Sequence, residues 1–253
     1  MRFFVLSGVV ICSALVFCGC SDDSSDEELN RAVSLAKAGN WQESAKIANE
    51  TAGASSGAAP MLLQALAFEK SGELDKAIDL AQQCAEQHPN DFTVLYTLGR
   101  LYSLDPKRQD KALSTLEKAV KLRENVNALI LLCNIGIKSN DPNVIKYLQQ
   151  LIRRTDLQEK ERGKAYYLLG IQQKKANRLS EYHSAMENAR KISEKHNPEL
   201  LFYIADFYEQ DGGYNHETAL LLYKKFISKS KDCDQSLINE AQNRIKRLSK
   251  HKK

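Results

Sequence analysis

The chain has 253 residues, of which 43% are hydrophobic and 27% charged, and its formal net charge is +4 at pH 7. Such a composition allows a packed core and excludes global disorder, while a small net charge of mixed sign gives no strong case for nucleic-acid binding. With 5 prolines, 12 glycines and no alternating strand pattern, the chain is predicted to be all-helical.

The first 19 residues are predicted to be a lipoprotein signal peptide. Arg2 precedes an apolar run over residues 3–18, the pattern of the n- and h-regions of a secretory signal. The run ends in Phe17-Cys18-Gly19-Cys20, which resembles a bacterial lipobox, a small residue followed by the cysteine that receives lipid. The resemblance implies a covalent diacylglycerol and acyl chain, such as palmitate, on Cys20. The alternative is an uncleaved anchor helix, for which the run is near the short limit of a bilayer span.

Residues 20–28 are predicted to be the lipidated cysteine and a flexible acidic tether. The sequence after Cys20 is Ser-Asp-Asp-Ser-Ser-Asp-Glu-Glu, which is polar and strongly charged. In lipoproteins of enterobacterial type the residue after the lipidated cysteine influences sorting, and Ser21 resembles an outer-membrane signal. The predicted location is the bacterial cell envelope, lipid-anchored to a membrane, with the periplasmic face of the outer membrane favoured in a Gram-negative cell.

Residues 58–91 carry the clearest internal pattern, two apolar helical patterns on either side of Gly72. Small residues at Ala65, Ala77 and Ala81 allow two helices to approach closely, and Pro89 ends the second helix. This unit resembles the tetratricopeptide repeat, a helix–turn–helix motif of about 34 residues. The resemblance implies an α-solenoid of stacked helix pairs that has no chemistry of its own and binds other proteins.

Looser copies of the same pattern surround this unit. A first, degenerate repeat covers residues 29–56, and its Trp41 is predicted to cover the end of the helix pair rather than to bind a partner. Later repeats are placed at residues 92–126, 127–156, 163–195 and 198–231. Residues 236–250 are predicted to form an amphipathic capping helix that shields the last repeat. The array of about six repeats plus capping helix thus spans residues 29–250, and a basic tail follows at 251–253.

The sequence carries no recognisable catalytic motif, and the protein is predicted not to be an enzyme. It lacks a nucleophile elbow, a phosphate-binding glycine loop and an H-E-x-x-H pair. No two of the five histidines stand three or four residues apart, the spacing of metal ligands on one helix. Cys84 and Cys133 are predicted to be small buried residues, and Cys233 a free thiol or an intermolecular disulfide. No metal, cofactor or small-molecule substrate is predicted.

The first helix of each pair is predicted to line a concave groove that binds a partner. The positions assigned to this groove are the one that follows the small interior residue of each first helix, and those one helical turn before and after it. The predicted groove residues are Leu66, Tyr96, Arg100, Ile130, Asn134, Lys138, Lys164, Tyr167, Ile171, Lys174 and Phe202, and the same register includes Leu62, Lys70 and Asp206. Tyrosines, an asparagine and basic groups suit an extended or helical peptide with acidic groups. The alternative is a solvated face whose tyrosines pack between neighbouring helices.

The last ten residues are strongly basic, with Arg244, Lys246, Arg247 and Lys250 followed by two terminal lysines. Anionic lipid headgroups, a cell-wall polymer or an acidic partner would suit them. The favoured interpretation is a solvated face of the capping helix with a frayed tail.

Together these patterns predict a membrane-anchored protein–protein interaction scaffold of the bacterial cell envelope, with a partner peptide or protein in the groove. The alternative is a regulatory or recruiting subunit of an envelope enzyme complex without catalytic residues of its own. A hydrolase whose site has no recognisable motif is a third hypothesis, and turnover lost by one point substitution would distinguish it.

Overall fold

The structure is a computed structural model that describes residues 23–51, 57–210, 216–230 and 233–250, with only the backbone of residues 23–26. The predicted signal peptide, Cys20 and the basic tail at 251–253 lie outside the described residues. Within the described ranges, no helix is both long and apolar enough to cross a bilayer.

Thirteen α-helices and one short 3₁₀ turn account for the regular structure of the described residues, which include no β-strand. The helices are α1 (Asp23–Lys37), α2 (Trp41–Thr51), α3 (Ala59–Lys70), α4 (Leu74–Gln87), α5 (Phe92–Ser103), α6 (Gln109–Leu122), α7 (Val126–Ser139), α8 (Val144–Arg153), α9 (Glu159–Lys175), α10 (Leu179–His196), α11 (Pro198–Gln210), α12 (His216–Lys229) and α13 (Gln235–Lys250). The 3₁₀ turn, Pro106–Arg108, precedes α6. Each predicted repeat interval contains two helices, and the predicted all-α class is confirmed.

The chain divides into two compact units, one holding α1–α7 within Val5–Asp141 and the other holding α8–α13 within Pro142–Lys253. They are called the N-unit and the C-unit below. The boundary between the units falls inside the predicted fourth repeat, residues 127–156. Helix α7 ends there at Ser139, and its C-cap Asn140 has a left-handed backbone (φ 54°). Asn140 and the following Pro142 both stop a helix and so fix the end of α7.

Residues with left-handed backbones end four of the first helices of the pairs. They are Gly39 (φ 85°), Gly72 (φ 82°), Asn140 (φ 54°) and Asn177 (φ 56°). Glycine adopts this region without steric cost, and asparagine tolerates it better than other side chains do. The sequence therefore determines locally where a first helix gives way to the second.

Side-chain caps begin the first helices α5 and α7. The Asp91 Oδ1 atom accepts hydrogen bonds from the second and third backbone N–H groups of α5, at 2.6 and 3.1 Å. The Asn125 Oδ1 atom does the same for α7, at 2.9 and 3.3 Å. Each cap contributes about 1 kcal/mol by satisfying a backbone donor that has no partner within the helix.

Close packing of helix pairs depends on small residues, as the sequence predicted. Ala65, Ala77 and Ala81 are fully buried between α3 and α4. In the next pair Gly99 takes this role, and a Cβ atom added there would lie 2.6 Å from Leu116 Cγ. The distance between α5 and α6 thus depends on the absence of a side chain at Gly99.

The structure differs from the predicted flexible tether at residues 20–28. Helix α1 already begins at Asp23, so residues 23–28 are helical rather than extended. Glutamate is a good helix former, and the buried Leu29, Ala32 and Val33 hold the helix in which this segment continues. The acidic composition of residues 23–28 therefore did not predict their helical backbone, because the helix is stabilised by the buried residues that follow them.

One arginine organises the connection between α8 and α9. Arg162 donates hydrogen bonds to the carbonyl oxygens of Ile152, Arg154 (3.0 Å) and Leu157 (3.1 Å). These carbonyls lie in the last turn of α8 and just beyond it, where helical backbone acceptors lose their partners. Arg162 thereby fixes the segment before α9 and the position of α9 itself in the C-unit.

Helix α13 is attached by only a few apolar side chains. Ala241 and Leu248 are buried, whereas Leu237 and Ile245 are half-buried. The remaining attachment of α13 to the C-unit is ionic, as the contacts of α11 show below.

Candidate interaction site

The predicted groove residues lie on the first helices of the pairs, α3, α5 and α7 in the N-unit and α9 and α11 in the C-unit. The side of these helices that carries the predicted residues is called the first-helix face of each unit.

Three predicted groove residues of the N-unit are buried rather than accessible. Leu66, Tyr96 and Ile130 have exposed fractions of 1%, 5% and 7%. Helices α3, α5 and α7 are apolar on nearly every side, and helices of this kind are covered on all faces. Helix α3 touches α5, and α5 touches α7, so neighbouring first helices cover these positions. The expectation that these side chains contact a partner is corrected accordingly.

Arg100 is engaged within the N-unit and does not offer its charge to a partner. Its guanidinium forms a two-pronged ion pair with Glu69, in which Nη1 lies 2.8 Å from Oε1 and Nη2 contacts Oε2. Both side chains are nearly buried, with exposed fractions of 12% and 13%. A charge that is already paired at this geometry has little left for a second carboxylate. The predicted role of Arg100 in binding an acidic partner is therefore corrected to a structural one.

The other two predicted residues of the N-unit differ in exposure. Asn134 is half-buried on α7, and Lys138, one turn further on, is exposed. Lys70, which the register also assigned to the groove, places its Nζ atom 5.6 Å from the Trp41 ring centre. Trp41 itself packs against the core formed by α1 to α3, which confirms that it covers this end of the helix pairs.

The aromatic groove residues of the C-unit are also buried. Tyr167 donates its hydroxyl to the Tyr203 carbonyl oxygen at 3.4 Å, and its ring lies edge-on to Phe207 at 6.3 Å. Burial, assisted by Asp206, raises the pKa of the Tyr167 hydroxyl. Phe202 packs against the rings of Tyr223 and Phe226, at 5.5 and 5.7 Å. Both residues form part of the core, which corrects the prediction that they contact a partner.

Lys164 is half-buried on α9, and its Nζ atom lies 3.0 Å from Glu161 of the same helix. The pair is a local i,i+3 contact, of the kind that contributes a few tenths of a kcal/mol to a helix. The structure does not place Lys164 with Ile171 and Lys174, the two predicted residues discussed next.

Ile171 and Lys174 line an open pocket of about 390 Å³ on the first-helix face of the C-unit. The other lining residues are Lys175 of α9 and Phe207 and Gln210 of α11. Lys174 lies over the Phe207 ring, with its Nζ atom 4.9 Å from the ring centre. The pocket, called the α9/α11 pocket below, combines an apolar floor with two ammonium groups.

The sequence prediction missed three residues of this pocket. Lys175 directly follows a predicted residue, while Phe207 and Gln210 lie one and four positions beyond Asp206, at which the predicted set on α11 ended. Extending the register by one helical turn would have found Gln210, since residues four apart share a face. The missed residues thus lie directly beside the predicted ones or within one helical turn of them.

Carboxylates of α11 beside the pocket are paired with arginines of the capping helix. The Asp206 Oδ1 atom lies 3.3 Å from Arg244 Nη1. Glu209 Oε2 lies 3.1 Å from the same nitrogen and accepts the Tyr223 hydroxyl at 2.9 Å, and Glu209 also contacts Arg247. Burial raises the pKa of Glu209, but hydrogen bonds from Arg247 and Tyr223 and the two guanidinium charges outweigh it, so the net shift is downward.

This pairing changes the interpretation of the basic C-terminal segment. Arg244 and Arg247 were predicted to belong to a solvated face, and both instead bind carboxylates of α11. Lys246 and Lys250 are exposed, as that interpretation expected. The ionic role of the two arginines was not visible in sequence because their partners lie some 35 residues away.

Cysteines and possible metal ligands were also located. Cys84 and Cys133 are free and buried, as predicted, and burial, followed by the charge of Asp91, raises the pKa of Cys84 to about 11. Cys233 is half-buried and is not part of a disulfide within the described residues. In the part of the chain that the structure describes, no three histidine, cysteine, aspartate or glutamate side chains come together in a way that could hold a metal ion.

Comparison with known proteins agrees with this architecture. A profile of the tetratricopeptide repeat matches residues 61–91, within the unit where the sequence predicted that repeat. A sequence search among curated proteins gives no significant match. Among solved structures, the chain is similar to MamA MSR-1 C2, with 18% identity and a TM-score of 0.54 over 69% of this chain and 99% of that one.

Two further structures are similar. YrrB, described as a TPR protein with an unusual peptide-binding site, shares 22% identity at a TM-score of 0.55, over 74% of this chain and 92% of its own. Human IFIT1, solved as a dimer with PPP-AAAA, shares 17% identity at a TM-score of 0.56, over 90% of this chain and 54% of its own. The chain has the tetratricopeptide-type solenoid fold. The predicted solenoid of stacked helix pairs with a C-terminal capping helix is thereby confirmed.

Proposed function

We propose that the chain is a lipid-anchored scaffold of the bacterial cell envelope that holds a protein or peptide partner on its first-helix face. The α9/α11 pocket is the observation that carries this proposal. It lies on first helices, has an apolar floor at Ile171 and Phe207, and has ammonium groups at Lys174 and Lys175. An apolar hollow with a few convergent polar groups is the usual form of a recognition site.

Two further observations support binding as the function. The fold is the one found in YrrB, a protein described by its peptide-binding site. Repeat solenoids expose extended surfaces on which partners bind without chemistry by the scaffold. The lipid anchor rests on the sequence alone, on the apolar run at residues 3–18 and the Gly19-Cys20 pair.

Site-specific photocrosslinking in intact cells tests where the partner binds. A crosslinking amino acid is placed at Lys175 or at Gln210, both of which line the pocket. The control position is Leu221 of α12, which is 63% exposed but does not line the pocket. We expect a product of one discrete mass from the two pocket positions and none from Leu221. Equal products from all three positions, or none from any, contradict the proposal.

The anchor is tested separately by metabolic labelling with an alkyne fatty acid. We expect label on the wild-type protein, recovery in the membrane fraction, and loss of both on Cys20→Ser. Cys84→Ser is a suitable control, because burial protects the Cys84 thiol from modification. If the wild-type protein is not labelled, the proposed lipid anchor is wrong, and the proposal of a partner at the pocket is unaffected. If the crosslinked partner is an enzyme, the protein acts as a recruiting subunit.

A further inference from the structure

We infer that the capping helix α13 binds an anionic lipid surface, and that carboxylates of α11 hold it in place when no such surface is near. The inference goes beyond the proposed function, because α13 contributes no residue to the α9/α11 pocket. It rests on three features of α13, namely its two contrasting sides, the small number of apolar residues that attach it, and the ion pairs of its arginines.

Helix α13 carries an apolar stripe and an excess of basic residues. Apolar residues recur three or four positions apart, at Leu237, Ala241, Ile245 and Leu248. The polar residues of the helix include four basic ones and one acidic one, Glu240, whose carboxylate contacts Arg244 at 2.7 Å. An amphipathic helix with a basic polar side is the form that lies on anionic membranes, with its apolar side at the boundary of the acyl chains.

Little buried apolar surface attaches α13 to the C-unit. Ala241 and Leu248 are its buried residues. The preceding helix α12 has five buried residues, and they include the large side chains of Tyr223 and Phe226. Because the apolar contribution to stability follows the area removed from water, packing holds α13 less firmly than it holds α12.

Ion pairs with α11 supply the rest of the attachment, and these pairs are open to competition by other anions. Arg244 Nη1 lies 3.3 Å from Asp206 Oδ1 and 3.1 Å from Glu209 Oε2, and Arg247 also contacts Glu209. The side chains of Arg244 and Arg247 are 25% and 56% exposed, and partly exposed pairs are weakened by salt. A phosphate accepts hydrogen bonds from a guanidinium in the same two-pronged way as a carboxylate does. Phosphates of lipid headgroups can therefore replace the carboxylates of α11.

Release of α13 does not leave the Glu209 carboxylate without partners. In the docked state this side chain is only 7% exposed, and Arg244 and Arg247 contact it. Tyr223 of α12 donates its hydroxyl to Glu209 Oε2 at 2.9 Å, and this bond does not involve α13. Once the helix has left, water reaches the carboxylate, so the cost of an unpaired buried charge is avoided.

Two lysines of α13 add to the attraction for an anionic surface. The ion pairs with α11 involve only the arginines, so Lys246 and Lys250 are exposed in the docked helix. Two more lysines follow in the sequence at 252 and 253, outside the described residues. Each lysine or arginine close to an anionic leaflet strengthens binding, and the effect fades within a Debye length. The charges that the docked helix does not use are therefore available to headgroups.

An anionic lipid surface fits these features better than other anionic partners do. Nucleic acid would match the positive charges, but proteins bind single strands by stacking bases on aromatic side chains, and α13 contains none. A soluble acidic polymer would likewise satisfy the basic residues and leave the apolar stripe unused. A membrane offers phosphates to the arginines and lysines and an apolar boundary to the stripe.

Fluorescence quenching by nitroxide-labelled lipids tests the inference on the full-length chain reconstituted into vesicles. A fluorescent amino acid is incorporated at Ser249, which is exposed on α13, and in a control protein at Ser228, which is exposed on α12. Vesicles of phosphatidylcholine are compared with vesicles that also contain about 30% phosphatidylglycerol. The N-terminal segment holds the chain on both, whether through lipid on Cys20 or through the apolar run at residues 3–18. A difference between the vesicles therefore reports on lipid charge and not on the anchor.

We expect the ratio of quenched to unquenched probe at Ser249 to be about fivefold or more higher in the anionic vesicles. The probe at Ser228 should show little quenching in either. Salt at about 0.5 M should remove most of the difference, because it screens the attraction between α13 and the headgroups.

Matched variants separate binding to lipid from release by α11. Lys246→Glu combined with Lys250→Glu should lower the quenching ratio at Ser249 about tenfold or more, since two attractions become repulsions. The same change at Lys195 and Lys224, which are exposed on α10 and α12, should leave it within about twofold of wild type.

Asp206→Asn removes one of the competing carboxylates and should lower the phosphatidylglycerol content needed for half-maximal quenching about twofold. Glu181→Gln, at an exposed carboxylate of α10, should not change it. Circular dichroism of each variant checks that the helical fold is retained.

Several results would overturn the inference. Equal quenching at Ser249 in both kinds of vesicle, or none in either, shows that α13 does not recognise anionic lipid. Loss of quenching in the variant changed at Lys195 and Lys224 shows that any basic surface suffices. An unchanged response in Asp206→Asn means that α11 does not compete for the helix. If excess polyglutamate or a DNA oligonucleotide abolishes the quenching, α13 binds a soluble polyanion instead. None of these results bears on the partner at the pocket, which crosslinking at Lys175 tests.

Discussion

The two units use the charges of their first helices differently. In the N-unit, Glu69 of α3 and Arg100 of α5 pair with each other on the first-helix face. In the C-unit, the carboxylates of α11 pair with Arg244 and Arg247 of the capping helix, and the lysines of α9 remain at a pocket. The same repeat geometry thus produces a face closed by an ion pair between first helices in one unit and a face with an open pocket in the other.

This difference shows that repeat position alone does not make a binding residue. Tyr96 and Arg100 of α5 occupy the same positions in their repeat as Tyr167 and Ile171 of α9, relative to Gly99 and Gly170. Only Ile171 of these four lines the pocket. Whether a residue at a given repeat position lines a pocket depends on the side chains that it contacts on neighbouring helices. These contacts differ from repeat to repeat.

Removal of the Arg100 guanidinium is expected to have the largest effect on stability. Arg100→Ala leaves Glu69 charged and nearly buried, and should lower the free energy of unfolding of the N-unit by about 2–4 kcal/mol. Trp41 is the single tryptophan and lies in the N-unit, so its fluorescence during denaturant unfolding reports this change.

The control for this prediction is Arg108→Ala. Arg108 pairs with Asp75, whose side chain is 81% exposed, and with the neighbouring Asp105, and loss of these two partly exposed pairs should cost no more than about 1 kcal/mol. If both variants unfold at the same denaturant concentration as wild type, Glu69 does not need Arg100, and the N-unit face is less closed than the ion pair indicates.

A matched glycine pair tests the packing of the two units. A Cβ added at Gly99 would meet Leu116 Cγ at 2.6 Å, whereas the atoms nearest to one added at Gly170 belong to the Met186 side chain, at 3.1 Å or more. Gly99→Ala should therefore destabilise the N-unit by about 1–3 kcal/mol. At Gly170 the flexible methionine can move, and the gain in helix propensity, up to about 1 kcal/mol, offsets the crowding.

Thermal unfolding followed by circular dichroism compares the two glycine variants. We expect a lower midpoint for Gly99→Ala and a midpoint near that of wild type for Gly170→Ala. Equal losses in both variants would mean that Met186 is held as rigidly as Leu116.

The ionic attachment of α13 predicts a dependence of stability on pH. The pKa of Glu209 is lowered from 4.5 in the folded protein, so its contribution is present above that ordinary value and is lost as pH falls through the lowered one. We expect the thermal midpoint to fall between about pH 5 and pH 3, and to fall less steeply in Glu209→Gln. The same experiment on Glu181→Gln, an exposed carboxylate of α10, should give the wild-type slope.

Much of the fold could be predicted because its determinants are local. Gly72, the small residues Ala65 and Ala77, and Pro89 lie within one repeat, and together they set two helices and the turn between them. The segment 23–28 shows the limit of such reasoning. Its acidic composition indicated a tether, but the helix that follows extends through it.

The site was only partly predictable because its determinants are not local. Arg100 finds its partner 31 residues away, and Arg247 finds Glu209 at a separation of 38. The periodicity of apolar residues predicts which face of a helix a side chain lies on. It does not predict the ion-pair partner that a different repeat or the capping helix provides. Ile171 and Lys174 line a pocket, and their role in binding a partner stays a prediction.

The smallest expected effect is that of Lys138→Glu, and it sharpens the comparison between the units. Lys138 is exposed on α7, so the substitution should change the free energy of unfolding by no more than about 0.5 kcal/mol. It should also leave crosslinking from Lys175 unchanged if the partner is held by the C-unit pocket. If Lys138→Glu instead abolishes that crosslink in a normally folded protein, the C-unit pocket alone does not account for the binding of the partner.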